Sequence, residues 1–120
     1  MYNEWWERWS QDATALVLAQ HPEIDAVLCG SDQIARGALD TARDLGRAVP
    51  DDLAVMGFDN WEVLTTNSRP ELTSTDANLQ ELGRIAAERV FAAFDGEDIG
   101  QGTQYLPGRL VIRAPTVPHR

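Results

Sequence analysis

The chain has 120 residues, a formal net charge of −9 and 43% hydrophobic residues. That is enough for one modest domain with a real core, and no apolar run approaches the length needed to cross a membrane. The cations are all arginine, dispersed in an acidic chain, which repels phosphate backbones and argues against nucleic-acid binding by this segment itself.

The opening MYNEWWERWS is acidic and aromatic and lacks the basic-then-apolar order of a secretory signal. Cys29 is the only cysteine, which excludes an internal disulfide and fits a reducing, cytoplasmic location. At the end of an apolar run it reads as a small buried hydrophobe.

From Asn3 to Gln20, Trp5, Trp6, Trp9, Ala13, Leu16, Val17 and Gln20 recur at helical spacing, with Glu4, Glu7, Arg8 and Asp12 opposite. Pro22 stops this helix. Trp9 reads as core, whereas Trp5 or Trp6, at the helix start, is placed to line a pocket. Ile24 to Cys29 is a short apolar run expected to be a buried strand.

Ile34, Ala35, Ala38, Leu39, Ala42 and Leu45 then repeat at helical spacing, with Ser31 or Asp32 as N-cap and Gly46 as the stop. Pro50-Asp51-Asp52 turns the chain into a second buried strand, Leu53 to Phe58. This βαβ order predicts parallel strands.

Asp59 to Thr66 is expected to hold a helical turn or two, Asn67 to Pro70 a loop, and Leu72 to Thr75 an extended stretch leading away from the sheet. Asn78 to Phe94 is the longest predicted helix, with Leu79, Leu82, Ile85, Ala86, Val90, Ala93 and Phe94 on its apolar side, ended by Asp95-Gly96. Gln104 to Pro115 reads as one or two strands around Pro107-Gly108.

The two strand ends, Ala26 to Asp32 (AVLCGSD) and Leu53 to Asn60 (LAVMGFDN), organise the functional reading. In open α/β sheets ligands bind just beyond the carboxyl ends of the strands. If the two runs are neighbours, Ser31, Asp32, Asp59 and Asn60 share one sheet edge. A carboxylate there, Asp59, accepts hydrogen bonds from two adjacent hydroxyls and suits a sugar diol or ring N–H groups; its alternative role is an N-cap for the Trp61 turn. Asp32 reads as structural, accepting backbone N–H groups in its own helix's first turn. Trp61 reads as packed under the binding turn, and Asn78 as a cap. His21 and His119 have no clustered ligands, so neither a metal nor a cofactor is expected. Gly30 and Gly37 stand too far apart for a dinucleotide turn, and no nucleophile with a credible base appears, so the chain does not read as an enzyme.

GSDQIARGALDTARDLGRAVPDDLAVMGFDN, RPELTSTDANLQELGRIAAERVF and YLPGRLVIRAPT, in this order and spacing, resemble the end of a LacI/GalR-type transcriptional regulator. The resemblance runs from about Ile24 to Thr116. It implies a two-lobed, periplasmic-binding-protein-like effector domain of α/β class, with a parallel sheet flanked by helices. On that template, residues 1–76 are the later half of the second lobe. Residues 77–120 are a crossover helix and a strand returning to the first lobe, and the DNA-binding helix-turn-helix is absent. A piece of this kind is expected to expose apolar faces.

The resemblance makes Asp59 a ligand contact and places Ser31 where relatives often carry a contacting asparagine, a plain helix cap being the other reading. It aligns Trp5 with an aromatic that stacks on the ligand, with Trp6 as the fallback and a core position as the alternative. Arg113 is expected to be structural, pairing with a carboxylate. The implied partners are a small-molecule effector (sugar or nucleobase), a second copy in a homodimer, and DNA only through the missing N-terminal domain; no membrane is involved. Dimer contacts are expected from the helix beginning at Gln33, with apolar side chains on its outer face, and from Val63 to Leu72. The competing function is a sugar-binding protein of a transport system with the same fold.

Overall fold

The computed structural model describes residues 7–114. The order of elements is α1 (Glu7–Gln20), β1 (Ala26–Leu28), α2 (Asp32–Asp44), β2 (Ala54–Phe58), α3 (Glu62–Thr65), β3 (Thr73–Asp76), α4 (Leu79–Phe94) and β4 (Arg109–Val111). The strands form one sheet in the order β1-β2-β3-β4. Pairing is parallel from β1 to β2 and from β2 to β3, and antiparallel from β3 to β4. The fold is therefore α/β with a mostly parallel sheet, as the sequence pattern predicts.

The two apolar runs are neighbours in the sheet: Val27 lies opposite Val55 and Leu28 opposite Met56 in parallel register. The Cys29 N–H extends the ladder to the Met56 carbonyl at 2.8 Å. Helix α2 connects the two strands and packs on both α1 and β2. Its residues Ala35, Ala38, Leu39 and Ala42 join Leu53, Val55 and Leu72 in the core. The alanines at three of these positions let the neighbouring backbones approach closely. Gly37 is the extreme case, since a Cβ there would lie 2.5 Å from the Glu7 carbonyl oxygen and 2.7 Å from Ser10 Cβ.

Beyond the helix, Gly46 takes φ +71°, and the N–H groups of Gly46 and Arg47 close on the carbonyls of Arg43 and Ala42. This is the paired-bond stop that a left-handed glycine permits. Gly96 ends α4 in the same way, its N–H and that of Glu97 reaching Ala93 and Ala92.

Several expectations are corrected. The buried residues of α1 are Ser10 and Leu18, while Leu16 and Gln20 of the expected apolar stripe are exposed. The reason is the close approach at Gly37: Ser10 fits there and donates its hydroxyl to the Ile34 carbonyl at 2.5 Å, which no bulky apolar residue can do. Trp9 is half-buried and lines an open apolar groove between α1 and β1.

Strand β1 is not a buried strand. It has one neighbour in the sheet, and Leu28 is 73% exposed. The stretch from Leu72 does not leave the sheet: Thr73, Ser74 and Thr75 pair with Met56, Gly57 and Phe58 as a third parallel strand. Of the tail, only Arg109–Val111 is a strand; the QYL segment is not. Helix α4 buries none of its residues, and Leu79, Val90, Phe91 and Phe94 are all exposed. The exposed apolar faces expected of a piece of a larger domain are thus present.

Candidate functional site

Because β1, β2 and β3 are parallel, their carboxyl ends open on one edge of the sheet. Ser31, Asp59 and Asp76 stand at these ends. Strand β4 runs the other way, so its first residue, Arg109, faces Asp76 in register. The edge is built of polar groups from four separate segments.

The turn after β2 is its centre. Asp59 and Asn60 both have positive φ, 102° and 53°. Two consecutive non-glycine residues in that region carry a conformational cost of order 1–3 kcal/mol each, which surrounding contacts must offset. Those contacts are three successive backbone N–H groups. That of Asp59 donates to the Thr75 carbonyl at 2.9 Å, that of Asn60 to Ser74 Oγ at 2.9 Å, and that of Trp61 to Asp32 Oδ2 at 2.6 Å. Ser74 passes the chain on, donating its hydroxyl to Asp32 Oδ1 at 2.5 Å.

With the backbone so anchored, the Asp59 side chain is left over. It is exposed, and among the described residues its carboxylate has no hydrogen-bond or ion-pair partner. Partial burial, and then the charge of Asp32, push its carboxyl above the ordinary range. The N-cap alternative for Asp59 is not observed: the cap position of α3 belongs to Trp61, without a side-chain bond. An unpartnered carboxylate at a strand end is the group that a vicinal diol or a pair of N–H donors satisfies.

The neighbours divide by role. Ser31 is the N-cap of α2, nearly buried, and its Oγ accepts the Ile34 N–H at 3.2 Å. Asp32 is 1% exposed and structural, as expected, but its partners are Trp61 and Ser74 and not the amides of its own helix. Trp61 does not pack under the turn; it is 62% exposed beside it. Its backbone, fixed by Asp32, starts α3 and leaves the indole outward.

Asn78 occupies the cap position of α4 in a left-handed conformation without a side-chain cap bond; Asp76 Oδ1 instead accepts the Asn78 N–H at 2.8 Å. Arg113 is structural, but its partners are the Asn60 side-chain oxygen at 3.0 Å and the Leu72 carbonyl at 2.7 Å, not a carboxylate. Trp5 and Trp6 lie outside the described residues.

Sequence reasoning missed Asp76 and Arg109. The Asp76 carboxylate accepts from Asn78, from Arg109 at 3.1 Å and from Asn60 Nδ2 at 3.4 Å, and these bonds hold its pKa below the ordinary value. No local pattern pointed to the pair, and it is the fold that brings Gly108 so close that a Cβ there would lie 2.7 Å from the Asp76 carbonyl oxygen.

The thiol of Cys29 is buried, and burial pushes its pKa up to about 12, so it is protonated and inert at neutral pH. Among the described residues no group of three or more His, Cys, Asp or Glu is placed to hold a metal ion. No helix among them is long and apolar enough to cross a membrane. The outer side of α2 carries Gln33, Arg36, Asp40, Arg43 and Asp44, and the apolar outer face expected of a dimer helix is not there.

Residues 2–116 match the family model of the periplasmic binding protein-like domain. The chain is 30% identical over 107 residues to the ribose operon repressor of Halalkalibacterium halodurans, covering 89% of this chain and 32% of the relative. It superposes on a LacI family transcriptional regulator from Arthrobacter sp. FB24, solved in complex with lactose, with a TM-score of 0.80 and 35% identity, over 90% of this chain and 40% of that one. On the lac repressor dimer, solved bound to operator and the anti-inducer ONPF, the TM-score is 0.86 at 27% identity, over 97% of this chain and 40% of that one. The chain thus spans about a third of the length of the curated relative it matches.

Proposed function

The chain belongs to the periplasmic binding protein-like domain family, in the form carried by LacI-type transcriptional regulators, and on that premise we propose that it supplies part of the site for a sugar-like effector in a dimeric regulator. The observation that carries this reading is the Asp59 carboxylate, exposed on a rigidly anchored turn with no protein partner among the described residues. A sugar presents adjacent hydroxyls that such a carboxylate accepts in pairs.

Ser31 offers the donor of a hydroxyl whose oxygen already accepts the Ile34 N–H at the helix cap. Trp5 supplies a flat apolar face for the C–H side of the ring. The lactose complex of the Arthrobacter regulator and the ribose operon governed by the Halalkalibacterium repressor support a sugar over other small molecules. The repressor relatives support regulation over transport.

Residues 1–76 then belong to the second lobe, and residues 77–120 cross toward the first. In support, α4 buries none of its residues against the rest of the chain. Effector binding closes the lobes and changes the spacing of DNA-binding heads in the cytoplasm, a coupling by differential affinity for two arrangements. The dimeric lac repressor supports a homodimer. The contacts of α2 in that dimer are polar, given its charged outer side.

The test is calorimetric titration of the full-length regulator with D-ribose, lactose and adenine. Saturable binding of a sugar supports the reading. Binding of adenine alone would change the ligand class, and absence of binding to all three would overturn the sugar assignment.

A further inference from the structure

Two of the groups that hold the Asp59–Trp61 turn, Asp32 and Ser74, are buried. Asp59 and Asn60 occupy the left-handed region without the glycine that tolerates it, so the turn reverts to an ordinary conformation unless its amides are held. One of the three anchors is the β3 backbone; the other two converge on a single carboxylate. Asp32 Oδ2 accepts the Trp61 N–H directly, and Oδ1 accepts the Ser74 hydroxyl, whose oxygen accepts the Asn60 N–H.

This carboxylate is 1% exposed, and among the described residues no arginine or other cation bonds to it. A buried carboxylate is retained at such a cost only where its hydrogen bonds are made in full. The packing around it is equally committed: Gly57 on β2 lies so near that a Cβ there would overlap Asp32 Oδ1.

We infer that Asp32, acting with Ser74, is the positioning residue of the effector turn: it holds the amides of Asn60 and Trp61 so that Asp59 stands ready to receive ligand. The inference rests on the proposed role of Asp59 as the contact. It also gives the turn a rigid tie to α2, whose first residue is Asp32.

The experiment uses the full-length regulator and reads two quantities. The first is hydrogen exchange of the 59–61 amides without ligand, and the second is affinity for D-ribose and for lactose. Ser74→Ala cuts the relay to Asn60 while leaving the Asp32–Trp61 bond. Asp32→Ala cuts both. Asp32→Asn restores them, with its oxygen toward Trp61 and its amide nitrogen toward Ser74 Oγ.

Exchange at 59–61 is expected to rise about tenfold or more in Ser74→Ala and Asp32→Ala, with the α1 amides unchanged, and to return within about threefold of wild type in Asp32→Asn. Affinity for whichever sugar binds is expected to fall about tenfold in the first two variants and to recover in the third. A purely structural Asp32 would loosen α1 and α2 together and would not be rescued at the turn alone.

Unchanged exchange at 59–61 in both Ser74→Ala and Asp32→Ala overturns the inference. If Asp32→Ala fails to fold, Ser74→Ala decides it. Altered exchange with no binding of either sugar by the wild type leaves the positioning role standing and overturns the sugar reading alone.

Discussion

Gly57 and Asp32 are in contact so close that β2 tolerates no side chain at residue 57: a Cβ would overlap one carboxylate oxygen and lie 3.1 Å from Asp32 Cα. This fixes the distance between β2 and the start of α2, and through it the position of the turn that follows Phe58.

Replacing Gly57 by alanine is therefore expected to destabilise the protein. The clash is with a buried carboxylate bonded at both oxygens and with backbone, neither of which can yield cheaply. Overpacking of this kind costs about 1–3 kcal/mol. Urea denaturation of the Gly57→Ala chain is expected to show the loss as a lower midpoint with an unchanged slope. A midpoint equal to wild type would show that α2 is free to move away from β2.

The two helical glycines Gly37 and Gly83 make opposite predictions. A Cβ at Gly37 meets the Glu7 carbonyl oxygen and Ser10, whereas nothing lies within 4 Å of one at Gly83. Alanine gains about 1 kcal/mol over glycine in a helix interior. In the 120-residue chain, Gly83→Ala is expected to raise stability by about that amount. Gly37→Ala is expected to lower it by about 1–2 kcal/mol, because separating α1 from α2 outweighs the gain in propensity. Thermal melts of the two variants side by side check the contrast.

If Asp59 is the effector contact proposed above, it is expected to link stability and binding to pH with opposite signs. Its pKa is raised in the folded chain by partial burial and by Asp32, so folding favours the protonated form. Its contribution to stability is present in full below the ordinary carboxylate pKa and is lost as pH rises through the raised value. At neutral pH the ionised side chain is thus a small liability, and Asp59→Asn is expected to make the protein slightly more stable there. The advantage should vanish as the pH is lowered toward and below the usual carboxylate range. The proposed effector binding by the ionised carboxylate is expected to run the other way, falling as the pH drops through the raised value. Denaturation of both proteins across pH, together with a pH profile of sugar affinity, separates the two effects.

Cys29 is a control on burial at the first strand end. With its pKa pushed up to about 12, almost no thiolate exists at pH 8. A thiol-exchange reagent is expected to label it slowly in the native protein and at once after denaturation. Fast native labelling would mean that β1 opens from β2.

Much of the architecture was legible in the sequence because local pattern and tertiary outcome agree. Apolar runs ending at Gly30 and near Gly57 frame a helix with small apolar residues at helical spacing, and the chain forms the parallel pair that this order implies. What escaped notice depends on distant partners. Thr73–Asp76 is polar and short, and only the free edge of β2 makes it a strand. The buried face of α1 is set by a glycine on α2, so Ser10 is buried there while Leu16, an apolar residue of the expected stripe, is exposed. Asp32 looks like any acidic residue in a helical first turn; its true partners lie 29 and 42 positions away. Asp76 and Arg109 meet only because β4 is antiparallel to β3, which no spacing in the chain announces.

The most direct measurement is the affinity of full-length regulator carrying Asp59→Asn for the sugar proposed as effector, D-ribose or lactose, taken by calorimetry at neutral pH alongside a melt that shows the fold intact. Loss of a charged hydrogen-bonding partner is worth roughly 1.5–3 kcal/mol, so affinity is expected to fall about tenfold or more while the melting temperature holds or rises. Equal affinity in a well-folded variant would contradict the assignment of this turn to the effector site.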